Sequence, residues 1–154
     1  MATAIEAQIP DALMTRLGTL PVSPALSVAY PGREFTPPDG EYLEAAFLPN
    51  RNVSLFLKGA NSTQYQGLFQ VTVVWSLDDS GIIPAQEVAG QIVDHFDKGT
   101  LLSATGFYVR IPERPSIGPP IQERHRLRVP VTIPYIRITS PATERGFSLS
   151  KGNP

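Results

Sequence analysis

Cysteine is absent from this sequence. That excludes disulfides, thiol catalysis and thiolate metal sites, and it leaves the redox compartment open. Histidine occurs only twice, too sparsely for a His-rich metal centre, and the formal net charge is −1, without the basic excess of a dedicated nucleic-acid-binding domain. Long apolar runs are missing too. The longest uncharged stretch, residues 59–77, carries Asn61, Ser62, Thr63, Gln64, Gln66 and Gln70, whereas a membrane helix needs about 20 predominantly apolar residues. The N-terminal residues show neither a basic segment nor an apolar core of the secretory kind. What is abundant is proline, 16 of 154 residues, against a usual share of about 5%. A chain of this length forms one ordinary domain, burying roughly 68–70% of its unfolded surface.

The opening segment has helical spacing. Ile5, Ile9, Leu13 and Leu17 recur every four residues, Thr3 and Glu6 fit a capping box, and Pro10 predicts a kink or a restart. Turn-forming residues at Pro21–Pro24, Pro31-Gly32 and Thr36–Gly40 then flank one short strand near Val28–Tyr30. From Glu41 the apolar period changes to two. Leu43, Ala45 and Phe47 form one strand face, and Val53, Leu55 and Leu57 a second. Phe69, Val71, Val73 and Trp75 form a third, on a strand apolar enough on both sides to lie centrally in a sheet. A polar, glycine-bearing loop between Lys58 and Gly67 predicts a long hairpin.

A second helix is predicted from Pro84, with Val88, Ile92 and Phe96 on its apolar face and Gly99 as its stop. Phe107, Val109 and Ile111 alternate up to Pro112, and Pro115–Pro120 reads as a stiff connector. In the last strand Leu127, Val129, Val131, Ile133 and Tyr135 oppose Arg126, Arg128, Pro130, Thr132 and Pro134. Pro130 and Pro134 delete backbone donors on the same side, which predicts an edge strand blocked against further pairing. The order of elements gives an α+β fold: a largely antiparallel or mixed sheet with two main helices packed on one face. Residues 1–138 form the single domain, and the polar residues 139–154 are expected to be a disordered tail.

The templates of catalysis are missing: there is no G-x-S-x-G, H-E-x-x-H, phosphate loop or G-x-G-x-x-G. Asp94, His95 and Asp97 spread over the polar face of the second helix and read as a solvated helix end. Arg124, Arg126 and Arg128 share a strand face at period two and suit phosphates or a partner's carboxylates. No aromatic stacking platform accompanies them, which favours a charged, solvated edge. No enzyme activity, cofactor or metal is expected.

Several stretches in order carry a resemblance: Phe47-Leu-Pro-Asn-Arg51, Tyr65–Trp75, the helix ending in His95–Thr100, Arg114-Pro-Ser-Ile-Gly-Pro-Pro120 and Arg128-Val-Pro-Val-Thr-Ile-Pro-Tyr135. Together, over about residues 3–138, the sequence resembles a small tailed-bacteriophage family grouped with tail terminator proteins. The resemblance implies a structural protein of the virion, assembled in the host cytoplasm and placed at the head-proximal end of the tail. Its implied partners are further copies of itself in a hexameric ring, the tail tube protein and a head-completion or neck protein. DNA would pass through the lumen without specific binding, and no membrane would be involved. Arg51, Pro115, Gly118 and Pro119 match recurrent positions of the family pattern and are its candidate interaction residues, alongside Arg124, Arg126 and Arg128. A head–tail connector or minor tail protein of the same fold is the neighbouring alternative, and a small-molecule-binding domain is the alternative outside phage assembly.

Overall fold

The computed structural model describes residues 4–22, 25–54, 63–104 and 107–139. In chain order the elements are α1 (Ile5–Gly18), β1 (Ser27–Ala29), β2 (Tyr42–Pro49), β3 (Val53–Ser54), β4 (Thr63–Ser76), α2 (Ile83–His95), β5 (Leu101–Ala104), β6 (Phe107–Arg110), β7 (Ser116–Ile117), β8 (Ile121–Gln122) and β9 (Arg126–Thr139). All strands join one mixed sheet in the order β1-β2-β4-β9-β6-β5, in which β1 runs parallel to β2 and the other pairs are antiparallel. The expected α+β class holds.

The two longest strands, β4 and β9, are the spine. They pair without interruption from Thr63↔Thr139 to Ser76↔Arg126. Cross-strand partners share a face, so the odd-numbered residues of both strands point one way. Phe69, Val71, Val73, Val129, Val131 and Ile133 on that side are fully buried and belong to one apolar cluster with residues of both helices. The even-numbered side carries Gln70, Thr72, Thr132 and Pro134, all partly exposed.

Helix α1 contributes Ile9, Ala12, Leu13 and Leu17 to the cluster and runs unbroken through Pro10. The helix does not restart at Pro10, one of the two outcomes expected there. A proline inside a helix costs about 3 kcal/mol, but burial of Ile9, Leu13 and Leu17 contributes about 1.5–3 kcal/mol for each side chain. The N-cap falls on Ala4, without a side-chain cap bond; Thr3 of the expected capping box lies outside the described residues. So do Leu55 and Leu57, most of the expected hairpin loop before Gly67, and residues 140–154 of the expected tail. Helix α2 starts with proline in its first turn, as expected. Gly99 lies in the turn beyond it at φ 87°, a left-handed value that glycine adopts without a steric penalty.

The blocked edge predicted at β9 needs correction. β9 is interior: β4 covers one side, and β6, β7 and β8 cover the other. The proline argument still explains how. The Pro130 carbonyl accepts from Gly118 N–H at 2.8 Å, so this residue faces β7, and Pro134, four residues on, faces the same way. Their missing donors prevent one continuous partner strand. Three short segments pair between and around the gaps instead. The supposed connector Pro115–Pro120 therefore holds one strand of the sheet, β7, and β8 follows directly after it. The β5 strand, which carries no clear period, is a further element that apolar spacing misses.

Candidate functional site

The candidate residues fall at four places around the β4–β9 spine. Arg51 occupies a β-bulge. β2 pairs with β4 from Tyr42↔Val74 to Pro49↔Gly67, yet β3 resumes at Val53↔Gln64. One extra residue has therefore been inserted, which bends the strand and re-aims its side chains. The bulge is pinned by its backbone: Asn50 N–H donates to the Gln66 carbonyl at 2.9 Å, Arg51 N–H to Asn50 Oδ1 at 2.7 Å, and Gln66 Nε2 to the Arg51 carbonyl at 3.3 Å. The Arg51 residue itself is exposed.

Pro115 is buried, Gly118 is half-buried and Pro119 is exposed. A Cβ at Gly118 would stand 3.0 Å from Pro130 Cγ, so this glycine lets β7 lie close to the proline-gapped flank of β9. Of these three family-pattern positions, Pro119 presents a side chain to solvent and the other two hold the flank together.

The three arginines do not form one exposed row. Arg124 sits in the bend before β9 and is exposed. Arg126 donates to the Gly40 carbonyl at 2.8 Å and the Pro38 carbonyl at 3.1 Å, and its guanidinium lies 5.3 Å from the Tyr42 ring centre. Arg128 pairs with Glu44 at 2.6 Å and with Glu123 at 3.1 Å. Burial works against the Arg128 charge, but the bonds to Glu44 and Glu123 outweigh it and hold the pKa above its ordinary value. Arg126 and Arg128 are thus committed to contacts within the chain. Neither the phosphate reading nor the solvated-edge reading describes them, because the loop before β2, Glu44 within β2 and the β8–β9 turn supply partners that strand periodicity does not reveal.

At the end of α2, Asp94 and Asp97 are exposed as expected, whereas His95 is half-buried. His95 Nε2–H donates to the Arg16 carbonyl at 2.8 Å and stands 2.9 Å from Thr19 Oγ1, tying α2 to the end of α1. A carbonyl only accepts, so the neutral ring carries its proton on Nε2. Burial of the ring, which outweighs the bond to the Arg16 carbonyl, lowers its pKa from the ordinary value. Asp94 and Asp97 both meet Arg114 at 3.4 Å in exposed ion pairs.

Among the described residues no cluster of three His, Asp or Glu could hold a metal ion. No helix among them is long and apolar enough to cross a membrane. An open cleft of about 280 Å³ lies beside Gly67, Leu68, Pro134 and Ile136, just below the usual range for ligand pockets.

The larger feature is the sheet face turned away from the apolar cluster. Of the ten exposed large apolar side chains among the described residues, Leu48, Val53, Leu68, Leu101, Tyr108 and Ile121 all fall on it. Leu48, Leu68 and Pro134 are direct cross-strand neighbours, and Gln66, Ile136, Arg110 and Leu101 form the next row. Near the other end the face is capped: Phe35 packs 5.3 Å from Tyr42, and Arg126 holds the loop carbonyls. An apolar patch of this kind marks an interaction surface. The sequence signal for it is Leu48 and Leu68, leucines that alternate out of phase with the core-facing residues of their strands.

Fold and surface together define a small α+β domain that presents one sheet face to its surroundings. Residues 8–135 match the family described as phage tail terminator protein, and the chain belongs to that family. This is a family of structural proteins, and membership gives the chain a structural or assembly role in the phage tail, as a component of the virion. Five chains of solved structures are similar to it. One of them has a TM-score of 0.73 and 31% sequence identity, covering 89% of this chain and 97% of that one. No curated protein matches the sequence.

Proposed function

We propose that the protein assembles into a hexameric ring on the head-proximal end of the tail tube, halts addition of further tube protein, and offers its opposite surface to a head-completion or neck protein. Family membership supports the tail role, and the observation that carries the assembly reading is the uncovered sheet face with its row of large apolar side chains. A ring is the geometry that suits a terminator. Head-to-tail contacts that close leave no lateral end for another copy, so the cap is finite while the tube beneath it is not. DNA crosses the lumen without a dedicated binding site. Of the candidate arginines, Arg126 and Arg128 are spent within the chain.

Native mass spectrometry over a concentration series, with negative-stain images of the protein alone and mixed with purified tail tubes, tests this reading. Closed rings, free or at one tube end, together with an arrest of tube elongation, are expected. A monomer that neither binds tubes nor changes their length overturns it. Rings that bind neck protein while ignoring tubes would instead favour the connector role.

A further inference from the structure

Two clusters of exposed apolar side chains lie towards opposite ends of β4. Besides the sheet face, Leu77, Ile82 and Ile83 are 39%, 43% and 69% exposed where β4 turns into the start of α2. Single exposed apolar residues are ordinary, but three on one tip are not. The tip is also built to hold its shape: Ser80 N–H donates to Asp78 Oδ1 at 2.8 Å, Gly81 N–H donates to the Asp78 carbonyl at 3.2 Å, and Gly81 sits at φ 67°. A preformed tip loses little conformational freedom on docking. At the rise of an extended strand, Leu68 and the end of β4 at Ser76 are about 26 Å apart, so one copy cannot bring its own tip to its own Leu48–Leu68–Pro134 row.

Charge decides what covers the row. Asp78 and Asp79 flank the tip, whereas Arg110 lies in the row beside Leu68 and Pro134 and Arg51 lies on the bulge at its border. None of these four has an ion-pair partner among the described residues. Glu113 stands at the rim of the adjoining cleft, leaving the arginines in excess there. An acidic apolar knob and a more basic apolar seat on the same chain, too far apart to meet, are complementary halves of a head-to-tail contact. We propose that the Leu77–Ile83 tip of one copy docks on the Leu48–Leu68–Pro134 row of the next, and that this is the contact that builds the ring. The inference rests on the ring reading above and specifies its interface.

Two variants damage one half each: Ile83→Asp spoils the knob and Leu68→Asp spoils the seat. Each alone is expected to be a folded monomer by circular dichroism and native mass spectrometry, where the unaltered protein forms rings. Mixed in equal amounts they should yield a two-copy species and nothing larger, because only one intact knob and one intact seat remain. A charge exchange guards against misfolding. Asp79→Arg alone, or Arg51→Asp with Arg110→Asp, should weaken assembly about tenfold, a change of about 1.4 kcal/mol, and all three together should restore it. Rings formed by both apolar variants, or a mixture that stays monomeric with no rescue by charge exchange, overturn the contact while leaving the ring reading in place. An unaltered protein that stays monomeric with and without tail tubes overturns both.

Discussion

The Arg16 guanidinium donates two hydrogen bonds to the His95 carbonyl, at 3.0 and 2.8 Å, while the His95 ring donates back to the Arg16 carbonyl at 2.8 Å. Each residue thus caps the other's helix end, where carbonyls lack partners within the helix. Arg16→Met should lower stability by about 2 kcal/mol, the scale of hydrogen bonds from a charged donor. Urea denaturation measures it.

The same joint makes stability depend on pH. The folded state holds the His95 pKa below its ordinary value, so the unfolded chain takes up a proton first as the solution is acidified. The His95 contribution is full above the ordinary value of 6.5 and declines as pH falls through the lower folded value. The stability difference between the unaltered protein and His95→Gln should therefore be larger at pH 7.5 than at pH 5.5. An equal difference at both would show that the ring does not titrate with folding.

Tyr135 should behave oppositely, at high pH. Burial pushes its pKa up to about 12, so its contribution is full below the ordinary value of 10.0 and is lost as pH rises towards the folded one. Absorbance near 295 nm should show one of the five tyrosines ionising late, and Tyr135→Phe should remove that late step.

Gly67 is the position where space is most restricted. A Cβ there would lie 2.6 Å from the Leu48 carbonyl oxygen, 2.6 Å from the Tyr135 hydroxyl and 2.8 Å from Pro49 Cα. Backbone on one side and a ring stacked on Phe47 on the other leave little room to yield. Gly67→Ala should destabilise by about 3 kcal/mol, the upper range for overpacking, read as a lower denaturation midpoint.

The ion pairs should rank by exposure. Arg114 is 60% exposed where it meets Asp94 and Asp97, and Arg114→Ala should change stability by less than about 1 kcal/mol. The Arg128 side chain is 28% exposed and pairs with two carboxylates. A double-mutant cycle between Arg128→Met and Glu44→Gln should give a larger coupling, about 1 kcal/mol, that shrinks in high salt.

Much of this architecture is legible in the sequence because burial imposes a period. Phe69–Trp75 and Leu127–Tyr135 alternate strictly and do become the spine, and the stripe Ile9, Leu13, Leu17 does become a docked helix face. The elements that escape are those whose pairing is set by neighbours rather than by their own pattern. β7 and β8 are two residues each, too short to show alternation. Likewise, periodicity finds Arg126 and Arg128 on one face, yet their partners Gly40, Pro38 and Glu44 lie more than 80 positions earlier. The bulge at Arg51 is also silent in the sequence. It emerges only when the registers on either side of it are compared.

The broken flank of β9 has a consequence for how the molecule can change over time. A continuous partner strand would have to keep its length and register to stay paired. Three separate short stretches, each anchored at its own point on β9, divide that demand into three local registers. The β4–β9 spine sets the frame, and variation can accumulate along that flank without disturbing it. Prolines that look like obstacles to a sheet are, in this arrangement, what makes one side of it modular.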